Sequence, residues 1–291
     1  MGTILVNTLI SGLFVGGFYS ACAIGLSISF GMLRIPMIAH SGLVILGGFL
    51  TCFICTKLHL DPLLAGLILV PIFFVLGFLF YHAYYQGFES RKDEREGQIG
   101  GLIMFFGFLL IIESVLSLTF GVDFRKMKPD WVLQVLHVGN IDFPLRLVIP
   151  FLCSMAILVV VLIYFSKTYI GLITRAVQQN STAAKLVGAN PVKAKSIAVG
   201  ISFGTAGFAG ALFVTLMPIE PSMGVLFLGR VFSIVILGGL GSPIGTVIAA
   251  IIIGITESLT SVFIGSSWVL GVSFALLLAV IAFKPTGLFR R

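Results

Sequence analysis

Residues 174–195 read TRAVQQNSTAAKLVGANPVKAK, and they lie between LVIPFLCSMAILVVVLIYF (147–165) and SIAVGISFGTAGFAGALFVTLMP (196–218). The polar stretch carries Arg175, Lys185, Lys193 and Lys195 without one acid, whereas neither flank carries any charge. A bilayer core about 30 Å thick is crossed by about 20 apolar residues in a helix, and both flanks are about that long. The contrast predicts two membrane spans joined by a cationic segment held in water.

The rest of the chain repeats this pattern. Of its 291 residues 58% are hydrophobic and only 10% charged, and the mean hydropathy is +1.14. A water-soluble domain carries about 25% charged residues. Long unbroken apolar runs also exclude a β-barrel, whose strands are short and alternate. The prediction is an all-α polytopic membrane protein, and the 34 glycines suit the close backbone approach that holds helices together in lipid. A net charge of +7 points to membrane orientation rather than to nucleic acid. Cys22, Cys52, Cys55 and Cys153 all fall in apolar runs and read as small packing residues.

Candidate spans are 5–30, 38–56, 62–85, 99–120, 147–165 and 196–218, followed by a less regular stretch over 225–284. The first lacks the basic flank of a signal peptide and reads as a retained span. No linker divides the chain, so residues 1–291 form one domain. With 166–195 in the cytoplasm, the inside loops hold nine cations: Arg34, Arg91, Lys92, Arg95, Lys167, Arg175, Lys185, Lys193 and Lys195. The outside loops hold five, namely Lys57, Arg125, Lys126, Lys128 and Arg146, so the bias has the expected sign. The basic C-terminal KPTGLFRR (284–291) then belongs inside too, and 219–284 must cross an odd number of times. The glycines and Pro243 of LGGLGSPIG (237–245) suggest a broken or re-entrant segment there, near a substrate pathway, for a total of eight or nine crossings.

Ionisable groups inside spans are costly and are candidates for function. Glu113 and Glu257 are the acids well inside apolar runs. Glu257, which follows the broken segment, reads equally as a group lining a polar path or as a packing lock, whereas Glu113 reads as a lock. His40 has no second ligand at helical spacing and reads as a capping or packing group rather than a metal ligand. No P-loop, HExxH or nucleophile–base pattern is present, so the chain does not read as an enzyme, and ATP-driven transport would need a separate ATP-binding polypeptide. Within the cationic stretch, 174–187 reads as a helix ended by Gly188 in a left-handed cap. Asn190 and Pro191 then start the next helix. The resulting basic helix–turn–helix has too few large apolar residues to lie in a lipid surface and suits a groove in another protein.

These residues carry a resemblance. TRAVQQNSTAAKLVGANPVKAKSIAVGISFGTAGFAGALFV (174–214) resembles the cytoplasmic loop and following span of LivH/LivM-type permeases, the membrane subunits of branched-chain amino-acid ABC importers. GLSISFGMLRIPMIAH (25–40), PSMGVLFLGRVFSIVILGGLGSPIGTVIAAIIIGITES (221–258) and KPTGLF (284–289) follow the family in the same order, so the likeness spans nearly the whole chain. It is nearer to LivH, since no long N-terminal extension is present. It departs after His40, where Ser41 and Gly42 stand in place of the family's glycine and acid, so no role of that acid carries over. The resemblance implies that 166–195 is the coupling loop, with Arg175, Ala176, Ala183, Ala184, Lys185, Gly188 and Asn190 docking an ATPase subunit. It also implies a translocation path near Gly238, Gly239, Gly241 and Gly245, with His40 and Glu257 as further candidates. The cargo it implies is leucine, isoleucine or valine, or a related small amino acid. The partners would be cytoplasmic ATP-binding subunits, a second permease subunit or a second copy, and an extracytoplasmic binding protein. The setting would be a bacterial inner membrane, with no cofactor on this chain and ATP and Mg²⁺ used by the partner. Related urea or short-amide permeases, or an ion-coupled carrier using Glu257 or Glu113, are the alternatives.

Overall fold

A computed structural model describes residues 2–90, 94–138, 141–284 and 287–289. Arg91, Lys92 and residues 285–286 and 290–291 of the C-terminal stretch lie outside the described residues. The chain is an all-α polytopic membrane protein. Six helices cover the six predicted spans: α1 (Gly2–Leu33), α2 (Ala39–Leu58), α3 (Pro62–Tyr84), α4 (Glu94–Phe120), α5 (Leu145–Lys167) and α8 (Pro191–Leu216). Between α5 and α8 lie two short helices, α6 (Tyr169–Gln179) and α7 (Ser181–Leu186). The irregular stretch resolves into α9 (Met223–Gly238), α10 (Pro243–Phe263) and α11 (Val269–Phe283). Among the described residues, eight helical segments are long and apolar enough to cross a bilayer, and α9 is a shorter apolar helix. Three helices after residue 219 satisfy the parity requirement. The long loop before α5 also holds a two-stranded antiparallel hairpin, β1 (Val135–Val138) with β2 (Ile141–Pro144), which the sequence pattern did not suggest.

Hydrogen bonds sort the loops into two ends. At the basic end, Arg34 donates to the carbonyls of Gln178 and Gln179. There Gln178 Nε2 donates to Gly241 O (3.0 Å), and Leu288 N donates to Leu237 O (2.9 Å). Lys195 pairs with Glu89 at the same end, on the π-helical turn Tyr85–Glu89 that extends α3. At the opposite end, Trp131 Nε1 donates to Asp61 Oδ2 (3.0 Å), while Asp61 Oδ1 caps α3 through Leu63 N. Arg125 and Ile219 exchange backbone hydrogen bonds there as well. Among the described residues, the eight helices of span length and the shorter α9 therefore alternate in direction.

Glycine seams hold the bundle. Helix α8 is buried along almost its whole length, and small residues in SFGTAGFAGA (202–211) let α1, α2 and α3 reach its backbone. A Cβ on Gly47 of α2 would sit 2.5 Å from the Gly207 carbonyl oxygen, and one on Gly210 would overlap the Val44 carbonyl. A second seam joins α1 to α10, where Gly12 and Gly16 lie against the backbone of Gly254, Ile255 and Ile251. Association in lipid gains little from expelling water, so contact at this distance supplies the packing energy. Gly210→Val is expected to lower the thermal midpoint of the purified protein in detergent by 10 °C or more or to prevent its recovery, because two backbones must separate (overpacking costs about 1–3 kcal/mol or more). Gly107→Ala in α4, where nothing lies within 4 Å of a new Cβ, is expected to leave the midpoint unchanged or raise it slightly. Size-exclusion thermostability of the two variants checks the contrast.

Candidate functional site

Two constellations carry the polar chemistry, one at the basic end and one at bilayer depth. At the basic end, the expected single helix over 174–187 is two helices. Asn180 leaves the helical conformation, and its side chain accepts from Ala183 N (3.0 Å), capping α7. An Asx side chain competes with the helix for its own backbone donors, which is why the break falls there. Gly188 adopts φ +85°, and Asn190 accepts from Lys193 N (3.1 Å) ahead of Pro191, as the cap motif predicts.

Arg175, Ala176, Ala183, Lys185, Gly188 and Asn190 all stand exposed on this segment. Ala184 does not join that face. It is 4% exposed and packs with Val177 against Ile28 and Met32 of α1 and Ala194 and Ala198 of α8. Ala184 thus belongs to the seating of the segment on the bundle. Leu186 and Val187, at 85% and 83% exposure, form an apolar tip beside Lys185. A cavity of about 360 Å³ lies beneath the segment, lined by Arg34, Glu89, Asn180, Ser181 and Lys195 among others.

The glycines of 237–245 mark the break between two helices. They form the α9–α10 hairpin at the basic end, with Gly238 packed on Gly245. Gly239 and Gly241 take φ +96° and +77° in the turn. The expected break is real, but Gln178, Gly31 and Leu288 surround it. It is the connection between α9 and α10 beside α6. His40 is buried among three helices. Its Nε2 lies 2.9 Å from Cys22 O and its Nδ1 3.3 Å from Ser202 Oγ, so the fully buried ring ties α1 and α8 to the start of α2.

Glu257 of α10 lies in the constellation at bilayer depth. Its Oε2 accepts from Tyr19 Oη of α1 (2.7 Å). Its Oε1 accepts from Arg230 Nε of α9 and from Ser273 Oγ of α11 (both 2.9 Å). The Arg230 guanidinium also sits 5.3 Å from the centre of the Tyr19 ring. One carboxylate therefore joins four helices. The sequence reading did not single out Arg230, a cation inside an apolar run and twenty-seven residues before Glu257; the cost of a charge within a span marks it as it marks the acids. Glu113 of α4 is a simpler lock. Its Oε1 accepts from Val225 N (3.3 Å), so a carboxylate meets the first turn of α9 where free N–H groups point outward.

This is a helical permease core, with polar loops at both ends and an ion pair within the apolar bundle. Residues 8–281 match the family described as "Branched-chain amino acid transport system / permease component", and the chain belongs to that family. It is 25% identical to the high-affinity branched-chain amino acid transport system permease protein LivH of Escherichia coli K12, over 98% of this chain and 96% of that protein. The corresponding protein BraD of Pseudomonas aeruginosa is 22% identical over the same shares. LivM of Salmonella typhimurium is 28% identical over 47% of this chain and 34% of its own length. Among solved structures, PsaBC from Streptococcus pneumoniae in complex with Fab overlays with a TM-score of 0.47 at 18% identity, covering 97% of this chain and 92% of that one.

Removing one partner of a buried ion pair costs about 3–5 kcal/mol, because the other charge is left uncompensated. Glu257→Gln is therefore expected to destabilise the protein by that amount, and Glu113→Gln by about 1 kcal/mol, since it loses a single hydrogen bond. Equilibrium unfolding of the two variants in mixed micelles reads the difference directly.

Proposed function

We propose that this chain is the membrane subunit of an ATP-driven importer of branched-chain amino acids in a bacterial inner membrane, with its basic end in the cytoplasm. The observation that carries the reading is the exposed segment 169–190: cations without acids, an apolar tip, and a chain with no nucleotide-binding motif to move it. Cytoplasmic ATP-binding subunits would take ATP and Mg²⁺ and grip this segment. A second permease subunit or a second copy would complete the membrane unit, and an extracytoplasmic binding protein would deliver cargo to the opposite end.

The handle is well connected. Val177 and Ala184 seat it on α1 and α8, while Gln178 touches Gly31 of α1 and bonds Gly241 in the α9–α10 turn. A displacement of α6 therefore bears on α1, α9 and α10 together, the three helices that hold Tyr19, Arg230 and Glu257. Alternating access follows if ATP binding and hydrolysis shift that group against the α8 seam. An ion-coupled carrier using Glu257 as a proton site is the weaker reading, because three donors already hold that carboxylate.

Two experiments test the proposal. In proteoliposomes containing the chain with its ATP-binding subunits, uptake of labelled leucine from loaded binding protein is expected to require ATP on the subunit side. Accumulation driven by an ion gradient alone refutes the reading. Replacing both Leu186 and Val187 with serine, or reversing charge at both Arg175 and Lys185, is expected to cut co-purification of the ATP-binding subunits by tenfold or more (about 1.4 kcal/mol per tenfold) with membrane insertion intact. Gly188→Trp is expected to do the same, and Gly188→Ala separates backbone strain from the lost fit, since a Cβ there meets nothing within 4 Å.

A further inference from the structure

Arg230 is only partly used by the fold. Its Nε–H serves Glu257, yet its two Nη groups have no hydrogen-bond partner among the described residues. Nor are they sealed. The fully buried side-chain atoms without a partner are Asn7 Oδ1 and Ser154 Oγ among those residues, and the Arg230 side chain is 16% exposed against 6% for Glu257. The terminal edge of the guanidinium thus reaches an accessible surface from the middle of a crossing helix. An open cationic edge facing hydrocarbon is costly and persists where water, protein or a ligand meets it.

Its surroundings hold that edge in place. Glu257 fixes Nε and is itself saturated by Tyr19 and Ser273. The Tyr19 ring lies against the guanidinium plane, and Phe274 of α11 packs on the adjacent Gly229. The free Nη edge is then a planar double donor, a shape that accepts both oxygens of one carboxylate. Building on the amino-acid reading above, we propose that Arg230 receives the carboxylate of the amino acid in transit, with Glu257 and Tyr19 as positioning residues. Leucine, isoleucine and valine share that carboxylate, so Arg230 selects the class of cargo and leaves its side chain to other surfaces. The ion pair keeps the resting site neutral, and the arriving carboxylate needs no rearrangement of Glu257.

The test uses the reconstituted assembly with its ATP-binding subunits and leucine-loaded binding protein. R230Q strands the Glu257 charge, so it is compared with R230Q/E257Q, in which neither charge remains. The double variant is expected to regain the thermal midpoint and subunit recovery of the wild type while leucine uptake stays at least tenfold down. Recovery of uptake together with stability would show that the pair is only a helix lock and overturns the proposal. R230K keeps the charge and loses the planar fork; it is expected to lower uptake at saturating loaded binding protein by roughly tenfold, the scale of one lost bidentate contact. Wild-type uptake by R230K at normal yield overturns the proposal even if the double variant cannot be recovered. The two readings fail differently: a wild-type assembly that hydrolyses ATP and accumulates no leucine defeats the amino-acid reading, whereas leucine uptake by both wild type and R230Q/E257Q defeats the role of Arg230 alone.

Discussion

Helices in lipid are held by how closely their backbones approach, and α8 makes that approach possible for half of this bundle. Its glycines and alanines present a nearly smooth surface to α1, α2 and α3. Side chains from the neighbours then fill the remaining space, as Phe73 does over Gly207 and Phe74 over Gly200. The α1–α10 seam repeats the device on the other side, through Gly12, Gly16 and Gly254. Helices α5 and α11, which have no such seam, expose most of their apolar surface.

The polar groups divide along the same lines. Where a seam brings backbones together, single hydroxyls bond to a carbonyl one turn back, as Thr51 and Ser20 do. The buried ion pair lies beside the α1–α10 seam and joins it to α9. Helix α9 is held by Glu113 at its start and by Arg230 at its centre. It is also one of the shorter long helices, and the polar contacts add to its buried apolar face. Phe227, Val231, Ile234, Val235 and Leu237 seat the same helix in the apolar core, and its basic end meets Gln178 through Gly241.

Much of this was legible in one dimension. Apolar runs of bilayer length marked six spans within a few residues, because the length is set by the solvent rather than by neighbours. Asn190-Pro191 and Gly188 marked a helix start and a turn, since both act through local backbone geometry. The break at Asn180 was harder to see. The same residue type can sit inside a helix or cap one, and the choice depends on how Val177 and Ala184 dock on α1 and α8. The glycines of 237–245 announced a break but not what meets it, which is Gln178, sixty-three residues from Gly241.

Composition and spacing determined the solvent of this chain, its spans, its basic segment and the absence of a nucleotide motif, because each depends on local properties of consecutive residues. Which charges meet was decided in three dimensions. Tyr19 and Glu257 are 238 residues apart, and no periodicity connects them. Their encounter requires α1 to lie on α10 along the glycine seam and α9 to bring Arg230 alongside. Hydropathy is a sum over neighbours in sequence, whereas an ion pair depends on neighbours in space, and in this protein only helix packing supplies the second from the first.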